Sequence, residues 1–280
     1  MTTSMSVPTP PTLYIEGPAF WTPTLPGWDA ARAAFRGEGP LADPPAKRPS
    51  PQVLAPAERR RAPDTVALAL EVAAASMAGS GRDAADVPCV FVSAHGDLSI
   101  NDYMCSTLAT DPTVLSPTRF HNSVHNAAVG YWTIGTGCMA ASNSISAYEN
   151  SFAAGLLEAA VQCAADQSPV LLVGYDTPTV GPLTSVTDSR GLLAVAMVIA
   201  PERTERTVAS FDWSLESGDV ANASAAPRSA AAGTLDSINP MAHALTLFES
   251  LAQVEGSTGS PVDLPLSGAL ALRLQLHPAG

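Results

Sequence analysis

His121 and His125 stand four residues apart, a spacing that on a helix puts two imidazoles on one face, as a zinc site requires. The residues between them, Asn122, Ser123 and Val124, include no acid, and no cysteine or carboxylate cluster lies nearby to complete a ligand shell. The expected role of the pair is therefore hydrogen bonding near the start of a helix, with Asn126 as a cap, and no metal is expected. The cysteines Cys89, Cys105, Cys138 and Cys163 show no C-x-x-C spacing and sit in stretches that read as strand or helix. They are expected to be buried free thiols in a reducing compartment, which is the cytoplasm. Arg59, Arg60 and Arg61 form the one strong basic cluster, and a solvated surface run is its ordinary reading. No G-x-S-x-G elbow, G-x-x-x-x-G-K-[ST] loop or dinucleotide-binding glycine fingerprint occurs, so hydrolase, NTPase and dehydrogenase chemistry have no positive support and no cofactor is expected.

The elements that must position these residues follow from composition and pattern. Of the 280 residues, 46% are hydrophobic and 14% charged, enough apolar material for a core and too little charge for a disordered chain. No long linker divides the middle of the sequence, so a single domain over residues 1–280 is expected. A formal charge of −12 repels phosphate, which argues against nucleic acid and against an anionic membrane surface. The start of the chain has no positive segment followed by an apolar stretch, and the longest apolar runs are too short to span a bilayer, so neither a secretion signal nor a membrane span is expected.

Residues 13–16 read as a short strand and 28–35 as a helix, followed by a proline-rich irregular loop over 39–56. A helix of small apolar residues is expected from Asp64 to about Met77, packed on most sides, with Gly79 and Gly81 as its stop. The β-branched run at 87–93 is a strand buried on both faces. Helix near 126–136, extended chain at 142–147, helix over 151–165 and strand over 170–174 continue the alternation, which is α/β order. Residues 192–199 read as another buried strand, 209–215 as an edge strand, and the Ala/Ser/Gly-rich stretch 217–234 as a mobile loop. A helix over about 240–254 and a last strand over 269–276 close the chain.

In this order the segments WDAARAAFRGE, VPCVFVSAHGDL, LSPTRFHNSVHNAAVGYWTI, SNSISAYENS, VLLVGYD and NPMAHALTLFESL resemble the β-ketoacyl synthases, over most of the chain. The resemblance implies a thiolase-like (ketosynthase) fold, layered αβαβα and shortened in the second half. It implies a nucleophilic cysteine at the start of the helix after SNSISAYENS, where the helix dipole favours a thiolate. Counting back from Gly174 without gaps puts Glu149 there, with Asn150 as the neighbouring possibility. His243 matches a catalytic histidine of the family, and the lysine five residues before it is replaced by Ile238. The chain's single lysine, Lys47, lies in the proline-rich loop, so no realignment restores it. The segment carrying the family's other histidine has no room between Ile199 and Asn239, and LPLSGALALRL offers only Gly268 where a glycine-rich oxyanion turn is expected. Without its partners, His243 is expected to be a partly buried structural residue.

A shortened ketosynthase relative without the cysteine is similar to the chain-length factors, most of all those of bacterial aryl polyene pathways. The resemblance implies a non-catalytic subunit that forms a heterodimer with an active ketosynthase and closes its acyl tunnel, with an acyl carrier protein reached indirectly through that partner. Tyr103, Met104, Thr107 and Leu108 are the tunnel candidates by position, and Phe120 and Trp132 the interface candidates. Under the same resemblance the Arg59 to Arg61 cluster has a second reading, as a dock for the carrier protein. A rival is an enzyme of altered chemistry, in which Glu149 or Ser151 acts with His243 to decarboxylate or hydrolyse an acyl thioester.

Overall fold

Strands made only of apolar residues need cover on both faces. The computed structural model, which describes residues 10–187, 189–218, 229–235, 239–254 and 258–279, shows how that cover is supplied. The elements run β1 (Leu13–Trp21), α1 (Trp28–Phe35), α2 (Pro56–Arg61), α3 (Asp64–Ser80), β2 (Cys89–Val92), α4 (Leu98–Thr110), α5 (Pro117–His121), α6 (Ala127–Thr136), β3 (Ser142–Ile145), α7 (Ser151–Asp166), β4 (Val170–Asp176), β5 (Leu193–Ala200), β6 (Thr207–Ser217), α8 (Ala230–Leu235), α9 (His243–Gln253), β7 (Val262–Ser267) and β8 (Leu270–Pro278).

One eight-stranded sheet has the order β3-β2-β4-β5-β1-β6-β8-β7, with β3, β2 and β4 mutually parallel and the other pairs antiparallel. Alternate side chains of β2, β4 and β5 enter two separate cores. Cys89, Phe91, Leu171, Val173 and Ala196 face α3 and α6, whereas Val90, Val92, Leu172 and Val195 face α7 and α9. The sheet curls, so that α7 rests on β2 and β4 on one side and on β7 on the other. The succession is helix, sheet, helix, sheet. This is the thiolase-like layering, and the shortening falls on its outermost layer. Among the described residues no helix packs on the outer face of β6 and β8. That face alternates polar residues instead, as a solvated strand does: Asp212, Ser214 and Glu216 on β6, Arg273, Gln275 and His277 on β8.

Local chemistry explains the joints. Helix α3 is buried almost all round and ends where Gly81 turns left-handed at φ +69°. Strand β1 bulges between Glu16 and Ala19, and Gly17 there has φ +51° and lies so close to α3 that a Cβ would sit 2.1 Å from the Ser76 carbonyl oxygen. The fully buried Glu16 carboxylate accepts two bonds from Arg82, at 2.7 and 3.1 Å, and a third from the Thr204 hydroxyl. Among the described residues no helix is long and apolar enough to cross a membrane.

Several expectations need correction. The stretch 209–215 belongs to an interior strand, because β6 lies between β1 and β8, and the true edges are β3 and β7. Its polar alternation reflects one solvated face rather than an edge. The stretch 217–234 includes the start of helix α8, and residues 219–228 lie outside the described residues. Residues 98–110, expected as a loop beside the tunnel, form α4, capped by the Asp97 carboxylate accepting from the Ile100 N–H. Strand β7 was not legible because Pro265 interrupts it, and an edge strand tolerates that. The loop over 39–56 is irregular as expected, with Pro56 opening α2.

Candidate functional site at the carboxyl ends of the parallel strands

In open α/β sheets ligands are taken outside the carboxyl ends of the parallel strands. Here those ends are Ser93 after β2, Ser146 after β3 and Asp176 at the end of β4, held together by buried hydrogen bonds. The Ser93 hydroxyl donates to Asp176 Oδ1 at 2.7 Å and the Ala94 N–H to Asp176 Oδ2 at 3.1 Å. The Gly96 N–H in turn donates to Ser93 Oγ at 2.9 Å, and His125 Nε2 donates to the Ser93 carbonyl at 2.8 Å. Burial drives the Asp176 carboxyl up to about 7, against the opposing pull of the Ser93, Ala94 and His95 donors. The Asn239 amide donates to the carbonyls of Asp176 and Gly191, at 3.4 and 3.3 Å, and its own oxygen accepts from the Met241 N–H. None of Ser93, Asp176 and Asn239 was singled out from sequence. The signal present was a Ser or an Asp closing an otherwise apolar strand, in VPCVFVS and VLLVGYD.

Between β3 and α7 the chain makes a single 3-10 turn, Tyr148–Asn150. Tyr148 is left-handed at φ +52°, a strained conformation for a residue with a side chain. Ser151 locks the turn: its buried hydroxyl donates to the Tyr148 carbonyl at 2.6 Å and accepts from the Ala147 N–H at 2.9 Å. That hydroxyl is committed to the backbone, so nothing in the geometry favours Ser151 as a nucleophile. The Tyr148 ring meets His95 edge to face at 5.3 Å, and its hydroxyl donates to the Val186 carbonyl at 3.2 Å. His95 Nε2 lies 3.1 Å from the Thr187 hydroxyl, and burial, followed by the neighbouring His125, holds the His95 imidazole below its usual range.

Glu149 is exposed in this turn, and the turn lies against residues 240–242, which lead into α9. The half-buried His243 is the first residue of α9, so the structure brings its segment beside the elbow that carries Glu149. Ile238 lies outside the described residues. The thiols are elsewhere: Cys89 and Cys163 are buried and pushed up to about 12 by burial, Cys138 is buried, and Cys105, contrary to expectation, is exposed on α4.

The remaining candidates divide. Leu108 and Phe120 are 51% and 59% exposed. Met104 is half-buried and Thr107 buried behind them. The Tyr103 hydroxyl accepts from the Ser116 N–H at 3.1 Å, and the Arg119 guanidinium lies 4.0 Å from its ring centroid, so Tyr103 ties α4 to α5. Trp132 is a correction: it is 1% exposed, packed in the core 6.4 Å from Phe91, and presents no interface surface. His121 packs its ring against Tyr131, and Asn126 precedes α6 without a side-chain cap bond, so its expected capping role is not realised. Arg60 and Arg61 are exposed and Arg59 is half-buried on α2. The edge strand β3 is open on its outer side, and beside it Ile134 and Met139 are 80% and 93% exposed.

Comparison with known proteins adds the following. Residues 34–256 match the family described as "Beta-ketoacyl synthase, N-terminal domain". No curated protein matches the chain. Among solved structures it is similar to a chain of the ketosynthase ApeO in complex with its chain length factor ApeC from Xenorhabdus doucetiae, at 21% identity and a TM-score of 0.67, covering 95% of this chain and 99% of that one. It is also similar to the ishigamide ketosynthase/chain length factor, at 14% identity and a TM-score of 0.70, over 96% of this chain and 100% of that one. A third likeness is to AntDE:AntF, a type II polyketide acyl-carrier protein in complex with its ketosynthase, at 10% identity and a TM-score of 0.68, over 96% and 99% of the two chains. At these identities the structures speak for the fold alone. With the family match spanning most of the sequence, the chain belongs to the β-ketoacyl synthase family, through its N-terminal domain.

Proposed function

We propose that the chain is a non-catalytic chain-length-factor subunit, which pairs with an active β-ketoacyl synthase and shapes the acyl tunnel of that partner in polyene or polyketide-type biosynthesis. The observation that carries this reading is the elbow before α7, where the backbone turn persists but its three residues are Tyr148, Glu149 and Asn150, none of them a thiol. Condensation needs an acyl thioester on the enzyme, and a phenol, a carboxylate or an amide cannot supply one. The chain's one lysine, Lys47, is in the proline-rich loop. The open β3 edge, with Ile134 and Met139 beside it, supplies the docking face, since an unpaired strand edge and exposed apolar side chains both gain from a partner. Leu108 and Phe120 are the exposed side chains in position to meet the partner's tunnel, with Met104 and Thr107 behind them. The solved complexes of ketosynthase with chain length factor support the same pairing. Because this chain is strongly acidic, the carrier protein is engaged through the partner. The subunit works as one domain, in the cytoplasm and without a cofactor.

The test is co-expression with a cognate active ketosynthase. A one-to-one complex is expected, with condensation by the complex and none by the chain alone; Leu108→Trp is expected to shorten the product and Leu108→Ala to lengthen it. Two-carbon extension of a carrier-bound chain by this subunit alone overturns the proposal.

A further inference from the structure

The left-handed backbone at Tyr148 is retained where no nucleophile needs it, and the side chain shows what it achieves. The ring is set between two loops, His95 following β2 on one side and Val186 between β4 and β5 on the other. His95 also lies within hydrogen-bond reach of Thr187 of that second loop. The three segments at the carboxyl ends of β2, β3 and β4 are thus fastened across the crevice in which such sheets take ligands. The wall behind is apolar. Phe152, next to the elbow on α7, and Met241, in the turn that lies against residues 148–150, are both fully buried and flank Gly174, where a Cβ would meet their side chains at 3.4 and 3.0 Å. An aromatic ring over an apolar wall occupies the kind of space an acyl chain would fill.

We propose that Tyr148 is a stopper, a specificity-determining side chain that shuts this subunit's own crevice against acyl chains. The crevice is then not only stripped of catalytic groups but physically closed, so a growing chain has no lodging here and remains with the partner. The closure is a property of the single chain and stands or falls separately from the pairing with a ketosynthase.

The test titrates the full chain with cis-parinaric acid, a fluorescent polyene fatty acid, and displaces it with a saturated fatty acid of similar length. Tyr148→Gly is the informative variant, because glycine adopts φ +52° without strain and the elbow should keep its backbone. It is expected to bind the probe at one site at least about tenfold more tightly than the unaltered chain. Tyr148→Phe, which keeps the ring and loses only the bond to Val186, is expected to stay closed. Tyr148→Asn, another residue that tolerates this backbone, replaces the glycine variant if that one does not melt cooperatively. Background binding to the exposed Ile134 and Met139 is common to all variants and cancels in the difference. The proposal is overturned if the folded glycine or asparagine variant binds no better than the unaltered chain, or if Tyr148→Phe binds as well as they do.

Discussion

Two faces of the sheet are left uncovered, and they are finished differently. On the outer face of β6 and β8, where the fold's last helical layer is missing, side chains alternate apolar inward and polar outward. Ion pairs join strands across it, Arg273 to Asp263 at 2.7 Å and His277 to Asp212 at 2.9 Å. At the β3 edge the exposed residues include Ile134 and Met139, and the strand's outer row of backbone groups has no neighbour in the sheet. Losing a layer to water requires a polar surface, and the first face has one. The second keeps an apolar surface, which is costly for an isolated chain and sensible for one that is covered by another. The contrast separates truncation from partnership.

The sharpest way to break this comparison is to give the second face the chemistry of the first. Ile134→Asp combined with Met139→Asp is expected to weaken association with the ketosynthase about 100-fold, or about 2.7 kcal/mol, as loss of central apolar contacts does. Because both side chains are exposed in the single chain, the melting of that chain should barely move, by within about 0.5 kcal/mol. Binding measured by interferometry against thermal melting decides it. Unchanged affinity would mean that the partner docks elsewhere.

Much of this was readable in the residues. The runs CVFV and LAVAMVIA lack any polar member, which only a strand covered on both faces explains, and they became β2 and the body of β5. The order of the segments carried the fold. What stayed hidden was set by contacts distant in sequence. The polar alternation of residues 207–217 is the same for an edge strand and for an interior strand with one wet face, and only the pairing with β1 and β8 distinguishes them. LSINDYMCSTLAT shows no clean apolar stripe, because it packs mainly against short loops, so helix α4 had no periodic signal. At the elbow, counting from Gly174 singled out Glu149 and its neighbour Asn150. The structure shows that the residue thrown into the left-handed turn is Tyr148, whose φ angle no composition reveals.

The next effect in size concerns the carboxylates of the two regions, which should respond to pH with opposite signs. Asp176, buried behind the crest on the β3 side of the sheet, titrates in the folded chain at about 7, above its range in an unfolded one. Between those values the native state holds a proton that the unfolded state has released, so its contribution to stability is complete in acid and is lost as pH rises through about 7. From pH 6 to pH 8 the loss should be a little over about 1 kcal/mol. The difference between the melting curves of the chain and of Asp176→Asn, followed across that range, isolates this contribution. A constant difference would show that Asp176 is already ionised in the fold.

The smallest effect belongs to the polar face. Asp212 is held below the usual carboxylate range, first by the Thr12 hydroxyl and, against some burial, by His277. Its contribution is therefore present at neutral pH and disappears as pH falls through the folded value, the reverse of Asp176. Solvent screens a site this exposed, so Asp212→Asn should cost under about 0.5 kcal/mol at neutral pH and leave ketosynthase binding untouched. A large loss of binding from this substitution would place the partner on the outer face of β6 and β8, and the polar finish of that face would then mark a wet interface rather than water.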